Sequence, residues 1–377
     1  MTTTEPSLSE AGSAPGSSHR GAPRTGAWLP TWEMITTKNL EIRKRRGLMI
    51  TMVVLIIVPT VLFYGLRLLF HAVDPHSYGL AGSPGFFSQS VNLVAEFGFI
   101  AAAALGAAAG TTDLSDGMFR HLVITGRSRL ALYLARIPAG LAILIPVVAL
   151  AFIMNCLVTS YESPPNPTTV SFYQVTAPEH LDQAQLQTFL LANTQQVVNG
   201  FLPDVPSGPG TTTAQVRSGI DKNIASLYSD YVANEIGQST PSDNEMAKIG
   251  LWLELEVGIG FVVGLGFGAL TGQRTTTTIV LIALEIIVTP LFARTQIPYF
   301  IDGQRLIIGI AMDQLRPEAL APATGGGGGG PGGLFLGGGR GALGIPPMPT
   351  WAMISVIVGW IVGWSGIGAW RMITRDA

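Results

Sequence analysis

Six apolar stretches decide what this chain can become: residues 48–70, 91–110, 131–158, 249–271, 277–292 and 351–370. A helix rises about 1.5 Å per residue, so about 20 apolar residues cross the hydrocarbon core of a bilayer. In lipid no water satisfies backbone N–H and C=O groups, so a run of this kind closes its own hydrogen bonds as a helix. The expected fold class is an all-α membrane protein of about six transmembrane helices. Composition agrees. Only 12% of the residues are charged, against about 25% in ordinary soluble domains. The net charge of −2 offers no bulk attraction to nucleic acid.

The polar stretches divide the chain between these spans. Residues 1–27 are rich in Ser, Thr, Gly, Pro and Ala, which predicts a disordered cytoplasmic tail. Residues 28–47 carry Trp32, Ile35, Leu40 and Ile42 at roughly helical spacing, followed by Arg43, Lys44, Arg45 and Arg46. Tryptophan beside a basic cluster suits an amphipathic helix in the headgroup layer, and the same cluster sets topology. Residues 48–158 hold spans one to three, with a hairpin turn at 110–130.

Residues 159–248 are polar and open on Pro-rich sequence. Leu186, Phe189, Leu190, Val197 and Phe201 form one helical stripe; Val216, Ile220, Ile224, Leu227 and Tyr231 form a second. That pattern predicts a small, mostly helical lobe outside the membrane. Residues 249–292 hold spans four and five, separated by a turn too short for anything but a tight reversal. Within 293–350, residues 297–315 are apolar but interrupted by Asp302, Gln304 and Arg305, which suits a re-entrant or interfacial helix. The glycine run from Gly325 to Gly330 is a linker. Residues 351–377 complete the last span and a short polar end.

Orientation follows from the excess of Arg and Lys on cytoplasmic turns. Arg43 to Arg46, then Arg120, Arg127 and Arg129, then Arg274, then Arg371 and Arg375 all fall on one side if the chain crosses about six times. The expectation is a multi-pass protein of the plasma (cytoplasmic) membrane with both termini cytoplasmic. The second span ends in a run of alanine and glycine. Small residues let helix backbones approach closely in lipid, so this face should pack on another helix, in the same chain or in a second copy. Cys156 is the single cysteine and lies in an apolar run, which excludes an internal disulfide or a cysteine zinc site.

The sequence contains no G-x-x-x-x-G-K-[ST], H-E-x-x-H or G-x-S-x-G. The chain thus has no phosphate-cradling loop of its own and no signature of those hydrolases. The informative polar stretch is the hairpin turn. Thr111 and Thr112 are suitable caps for a short helix with Asp113 and Asp116 in its first turn, where carboxylates favour the positive helix end. Gly117 leaves a side-chain-free patch, and Arg120, His121, Arg127 and Arg129 follow. Read plainly, this is a capped turn with topology-setting arginines.

An acidic residue, a glycine four positions on, a basic residue and then a Ser-Arg pair (Asp113, Gly117, Arg120, Ser128-Arg129) resemble the coupling segment of ABC-2 type transporter permeases. The family commonly has Glu at the position of Asp113 and Pro ahead of the Ser-Arg pair. The amphipathic lead-in, the layout of about six spans and the apolar element before the last span extend the resemblance. The tail, the 159–248 lobe and the glycine linker lie outside it. The resemblance implies a type V exporter permease, itself not an enzyme. Such a subunit pairs with a second copy or a related permease and is driven by a separate cytoplasmic ABC ATPase. No cofactor is then expected on this chain; ATP and Mg belong to the ATPase. Asp113, Asp116, Gly117, Arg120, His121, Arg127 and Arg129 would receive the ATPase movement. The expected partners are that ATPase, the second permease and membrane lipid, with no nucleic acid. Substrates of such exporters are lipid-like, peptide or drug-like.

Arg136 stands at the near end of the third span, and five further charged residues inside the spans are candidates for a role: Arg67, Glu96, Glu254, Glu256 and Glu285. A charge at mid-bilayer costs at least about 2.5–3.5 kcal/mol, so each needs a partner, water or a function. Arg67 and Glu96 lie near the same face and are a candidate pair. Glu254 and Glu256 lie near the outer face, within reach of water. Glu285 is the deepest and the best candidate for a cavity-lining or interface group. These residues keep open an ion-coupled secondary transporter using Glu96 and Glu285. The lobe keeps open a non-transporting sensor or scaffold.

Overall fold

The computed structural model describes residues 29–75, 78–115, 128–163, 169–172, 175–199, 202, 205–284, 301–320 and 348–374. Among the described residues five helices are long and apolar enough to cross a membrane: Arg46–Val73, Pro84–Thr111, Arg129–Glu162, Asp243–Thr271 and Thr350–Thr374. The chain is therefore an α-helical, membrane-embedded protein.

The chain opens with α1 (Trp32–Lys44). Its buried face is Met34, Lys38 and Ile42, one residue per turn, whereas Trp32 and Leu40 are exposed. The stripe read from the sequence thus mixes two faces, and the inward one includes a lysine. Helix α2 (Arg46–Val73) follows, then α3 (Pro84–Ser115). The third apolar run breaks at Ala135 into α4 (Arg129–Leu134) and α5 (Arg136–Glu162).

The lobe comes next. Strands β1 (Thr169–Phe172) and β2 (Val175–Pro178) form an antiparallel hairpin with Thr169 opposite Pro178. Helices α6 (Gln183–Ala192), α7 (Thr194–Asn199) and α8 (Thr213–Gln238) complete it. Capping boxes fix two of these starts: Asp182 with Gln185, and Thr212 with Gln215. Phe201 lies outside the described residues; the rest of both predicted stripes faces one core, in which Leu186, Leu190, Val197, Val216, Ile220, Leu227 and Tyr231 are fully buried. The hairpin was not anticipated; it adds Val170, Val175 and Ala177 to that core. Tyr231 locks hairpin to helix, its Oη donating to Pro178 O at 2.6 Å and accepting from Leu181 N–H at 3.2 Å. Burial raises the pKa of this phenol above its ordinary value.

Helix α9 (Asp243–Thr271) starts with another capping box, Ser242 with Glu245, and stops at Gly272, whose left-handed φ of 68° suits glycine. After the tight turn, α10 (Arg274–Ala283) begins the fifth apolar run. Residues 285–300, which hold the rest of that run, lie outside the described residues. Short helices α11 (Ile301–Gln304) and α12 (Ile308–Gln314) and the 3-10 turn Glu318–Leu320 precede α13 (Thr350–Thr374). The tail and the glycine linker also lie outside the described residues.

Two helices form the centre of the bundle. The apolar windows of α3 and α9 are 72% and 67% buried, against 22%, 28% and 22% for α2, the α4–α5 run and α13. Glycine explains why these two helices sit so close. Gly260, Gly264 and Gly268 repeat every four residues along α9 and meet Phe99, Ala103 and Ala107 of α3. Gly106 and Gly110 of α3 answer them against Phe261 and Leu265. A Cβ at Gly110 would stand 2.5 Å from Leu265 O, and one at Gly268 2.8 Å from Ala107 O. No side chain fits there, so the backbones themselves are in contact, the way small residues hold helices together in lipid. The small-residue face of the second span therefore packs within the chain. On its other side α9 meets α13, where Gly266 lies against Trp364 and Gly368.

The α3–α9 register also defines two ends of the bundle. One end carries the lobe. The other carries Arg45, Arg46, Arg129, Arg136, Arg274 and Arg371 and is called the arginine end here.

Candidate functional site

The segment read from the sequence as a hairpin turn begins at the arginine end of α3. The sequence suggested that Thr111 and Thr112 start a new helix; instead α3 runs on to Ser115. Thr111 is buried, and its hydroxyl donates to Ala107 O at 2.9 Å. That bond to the carbonyl four residues back satisfies the hydroxyl inside the helix, so the threonine continues the helix rather than capping it. Asp113 accordingly lies in the last turn of α3, at the negative end of its dipole, not in a favourable first turn. The side chain of Asp113, and all of Asp116, Gly117, Arg120, His121 and Arg127, lie outside the described residues.

The chain returns at Ser128, whose Oγ accepts from Ala131 N–H at 3.2 Å and caps α4. Arg129 then donates from Nη1 to Ile373 O at 3.0 Å, in the last turn of α13. Four residues on, Tyr133 is fully buried with its Oη against Gly368. Both return residues therefore hold the last span.

Arg136 completes this end, and the sequence reading gave it no role. It is 2% exposed and donates from Nη1 to Gly110 O at 3.3 Å. Gly110 is the residue whose backbone touches α9, so one guanidinium reaches the point where the two central helices meet. The available signal was an arginine followed at once by IPAGLAILIP, too deep in an apolar run to be a simple topology marker. Helix α1 lies across the same region. Asn39 Nδ2 donates to Ala139 O at 2.9 Å, and Lys38 pairs with Glu41 at 2.8 Å. A small cavity of about 20 Å³, room for one water, remains between Lys38, Arg45, Leu105 and Arg136.

The lobe end gathers a second polar set. Arg67 does not pair with Glu96. Its guanidinium lies 3.8 Å from the ring centroid of Phe86 and 5.6 Å from that of Phe63, so aromatic faces meet the cation. Glu96 sits half-buried on α3, one turn deeper than Asn92, which accepts a hydrogen bond from Arg316. Glu254 is also half-buried, and its Oε2 is shielded from water with no hydrogen-bond partner. Gly250 and Gly258, one turn to either side, face Phe152 and Leu141 of α5. Glu254 therefore lies on the α9 face turned toward α5, with one of its two carboxylate oxygens shielded from water. Glu256 is half-buried. Glu285 lies outside the described residues.

Residues 301–320 pack into this end through indole and amide donors. Trp252 Nε1 donates to Met312 O at 3.2 Å, Trp360 Nε1 to Leu306 O at 2.8 Å, and Met348 N–H to Gln314 Oε1 at 3.0 Å. Among the described residues no group of His, Cys, Asp and Glu is arranged to hold a metal ion. Comparison with known protein families finds none that matches this chain, and curated proteins give no match.

Proposed function

We propose that this chain is the membrane-spanning permease subunit of an ABC transporter. It exports a lipid-like, peptide or drug-like substrate and is driven by a separate cytoplasmic ATPase through the segment around residues 111–122. The observation that carries this reading is how that segment is attached. It leaves from the last turn of α3, one of the two most buried helices, and returns at Arg129, bonded to the last turn of α13. A push on the turn acts at once on the α3–α9 pair and on the last span. The arginine end is then the cytoplasmic side, and the lobe faces outward. ATP and Mg sit on the ATPase, since this chain has no phosphate-binding loop. A second copy or a related permease completes the transporter.

Asp113→Lys and Arg120→Glu test the coupling role in membranes containing the chain and its ATPase. Both variants should insert, and ATP hydrolysis should continue while substrate movement falls at least about tenfold, the loss of about 1.4 kcal/mol of coupling. Normal transport by both variants would overturn the assignment. One observation favours a second reading, an ion-coupled transporter: the shielded, unpartnered Oε2 of Glu254. That reading expects transport driven by a pH gradient with no ATPase present.

A further inference from the structure

A cavity of about 560 Å³ opens at the lobe end, between the first turns of α9 and the chain around residues 315–319. Small-ligand sites occupy roughly 300–1,000 Å³, so it has room for a headgroup and the first carbons of a chain. Its lining changes character with depth. Lys248 is exposed at the polar rim and makes no hydrogen bond or ion pair among the described residues. Glu245 also lines the rim, but its carboxylate is committed to the helix start, accepting from Ser242 N–H at 2.9 Å and Ser242 Oγ at 3.1 Å. Arg316 is 6% exposed, bonded to Asn92 and 5.9 Å from the Trp252 ring centroid. Below the cations the wall is leucine. Leu251 is 72% exposed and Leu255 41% exposed, on the stretch of α9 that enters the apolar layer.

We infer that this cavity binds an anionic phospholipid of the leaflet on the lobe side. Lys248 and Arg316 receive the phosphate group, and Leu251 and Leu255 receive the first part of an acyl chain. Among the described lining residues Lys248 and Arg316 outnumber the carboxylate of Glu245, whose Oε2 serves the helix cap, so the charge of the described lining favours an anion. The leucines continue from the cations toward lipid, so the favoured anion is one that carries a chain. Trp252 ties the two walls through Met312, which fixes the cavity before any ligand arrives. The inference is independent of transport, because a lipid seated here would also suit a protein that moves nothing.

The test uses the full chain in phosphatidylcholine nanodiscs, with a trace of phosphatidylglycerol carrying a photoreactive group near the top of one acyl chain. Peptide mapping should place the label on residues 248–255 and 315–319. Unlabelled phosphatidylglycerol should compete, while phosphatidylcholine with the same chains and soluble glycerol phosphate should not. Lys248→Glu, an exposed change that leaves the core untouched, should lower labelling about tenfold, since each basic group near an anionic headgroup contributes about fivefold and the new carboxylate repels. Lys248→Arg should restore it. Even labelling of the lipid-facing sides of α2 and α13, equal competition by phosphatidylcholine, or no response to Lys248→Glu would each overturn the site. Displacement by glycerol phosphate would overturn the lipid and leave a small-anion site.

Discussion

Arg136 shows what a single residue can hide in an apolar sequence. A cation at 2% exposure is retained only where acceptors surround it, and the carbonyl of Gly110 is one of these. Arg136→Leu keeps the apolar stem and removes the donor. It should lower stability by about 1.5–3 kcal/mol, as for loss of a hydrogen bond from a charged group, seen as a lower melting temperature in detergent. An unchanged melting temperature would mean that the bond to Gly110 contributes nothing. Glu254 makes the opposite case. Its shielded oxygen lacks a hydrogen bond, so Glu254→Leu should raise stability by about 1–3 kcal/mol. A more stable protein that no longer transports would mark Glu254 as functional, because sites kept for function often cost stability. Neither environment was legible in the sequence, which showed that the charges lie in spans but not which face of the helix they take. Arg67 gave no hint of Phe86, since ring and cation come from different helices.

At the scale of elements, the sequence was informative wherever one face of a helix had a single job. The five spans begin and end within a turn or two of the apolar runs. The second lobe stripe landed in the core because its spacing of three and four admits no other face, and the described members of the first joined it. It was less informative where local chemistry permits two outcomes. Thr111 can cap a helix or bond back into one, and the structure takes the second. The β1–β2 strands are four residues each, too short for alternation to stand out. The α3–α9 contact is the element most open to test. Gly264→Leu drives a side chain into the backbone at Ala103 and should cost more than about 3 kcal/mol, beyond ordinary overpacking, because backbone cannot move aside. Gly359→Leu, on α13 with nothing within 4 Å of its Cβ, should leave the melting temperature unchanged. Equal effects of the two substitutions would contradict the packing described. In the lobe, Tyr231→Phe removes a donor from Pro178 and an acceptor from Leu181. It should cost about 1–3 kcal/mol, measured as faster proteolysis within residues 169–238.

Among the described residues the α3–α9 pair is the centre on which the other spans pack. On either side of residues 116–127 the chain belongs to that pair, through α3, and to the contact with the last span, through Arg129. The lobe has its own core and reaches the bundle where α8 meets α3 and the turn at Glu318–Leu320. In the permease proposed, the arginine end meets the energy source and the lobe end faces outward. A cysteine placed at Ser226, on an exposed part of α8, should react in intact cells with a thiol reagent that cannot cross the membrane. Labelling only after lysis would invert the topology. The most direct test of the permease account is a pull-down of the intact chain from its native membranes in mild detergent, with its companions identified. The account predicts a soluble protein with a phosphate-binding loop in a fixed ratio to this chain. Its reproducible absence, with the chain folded and intact, would contradict the account.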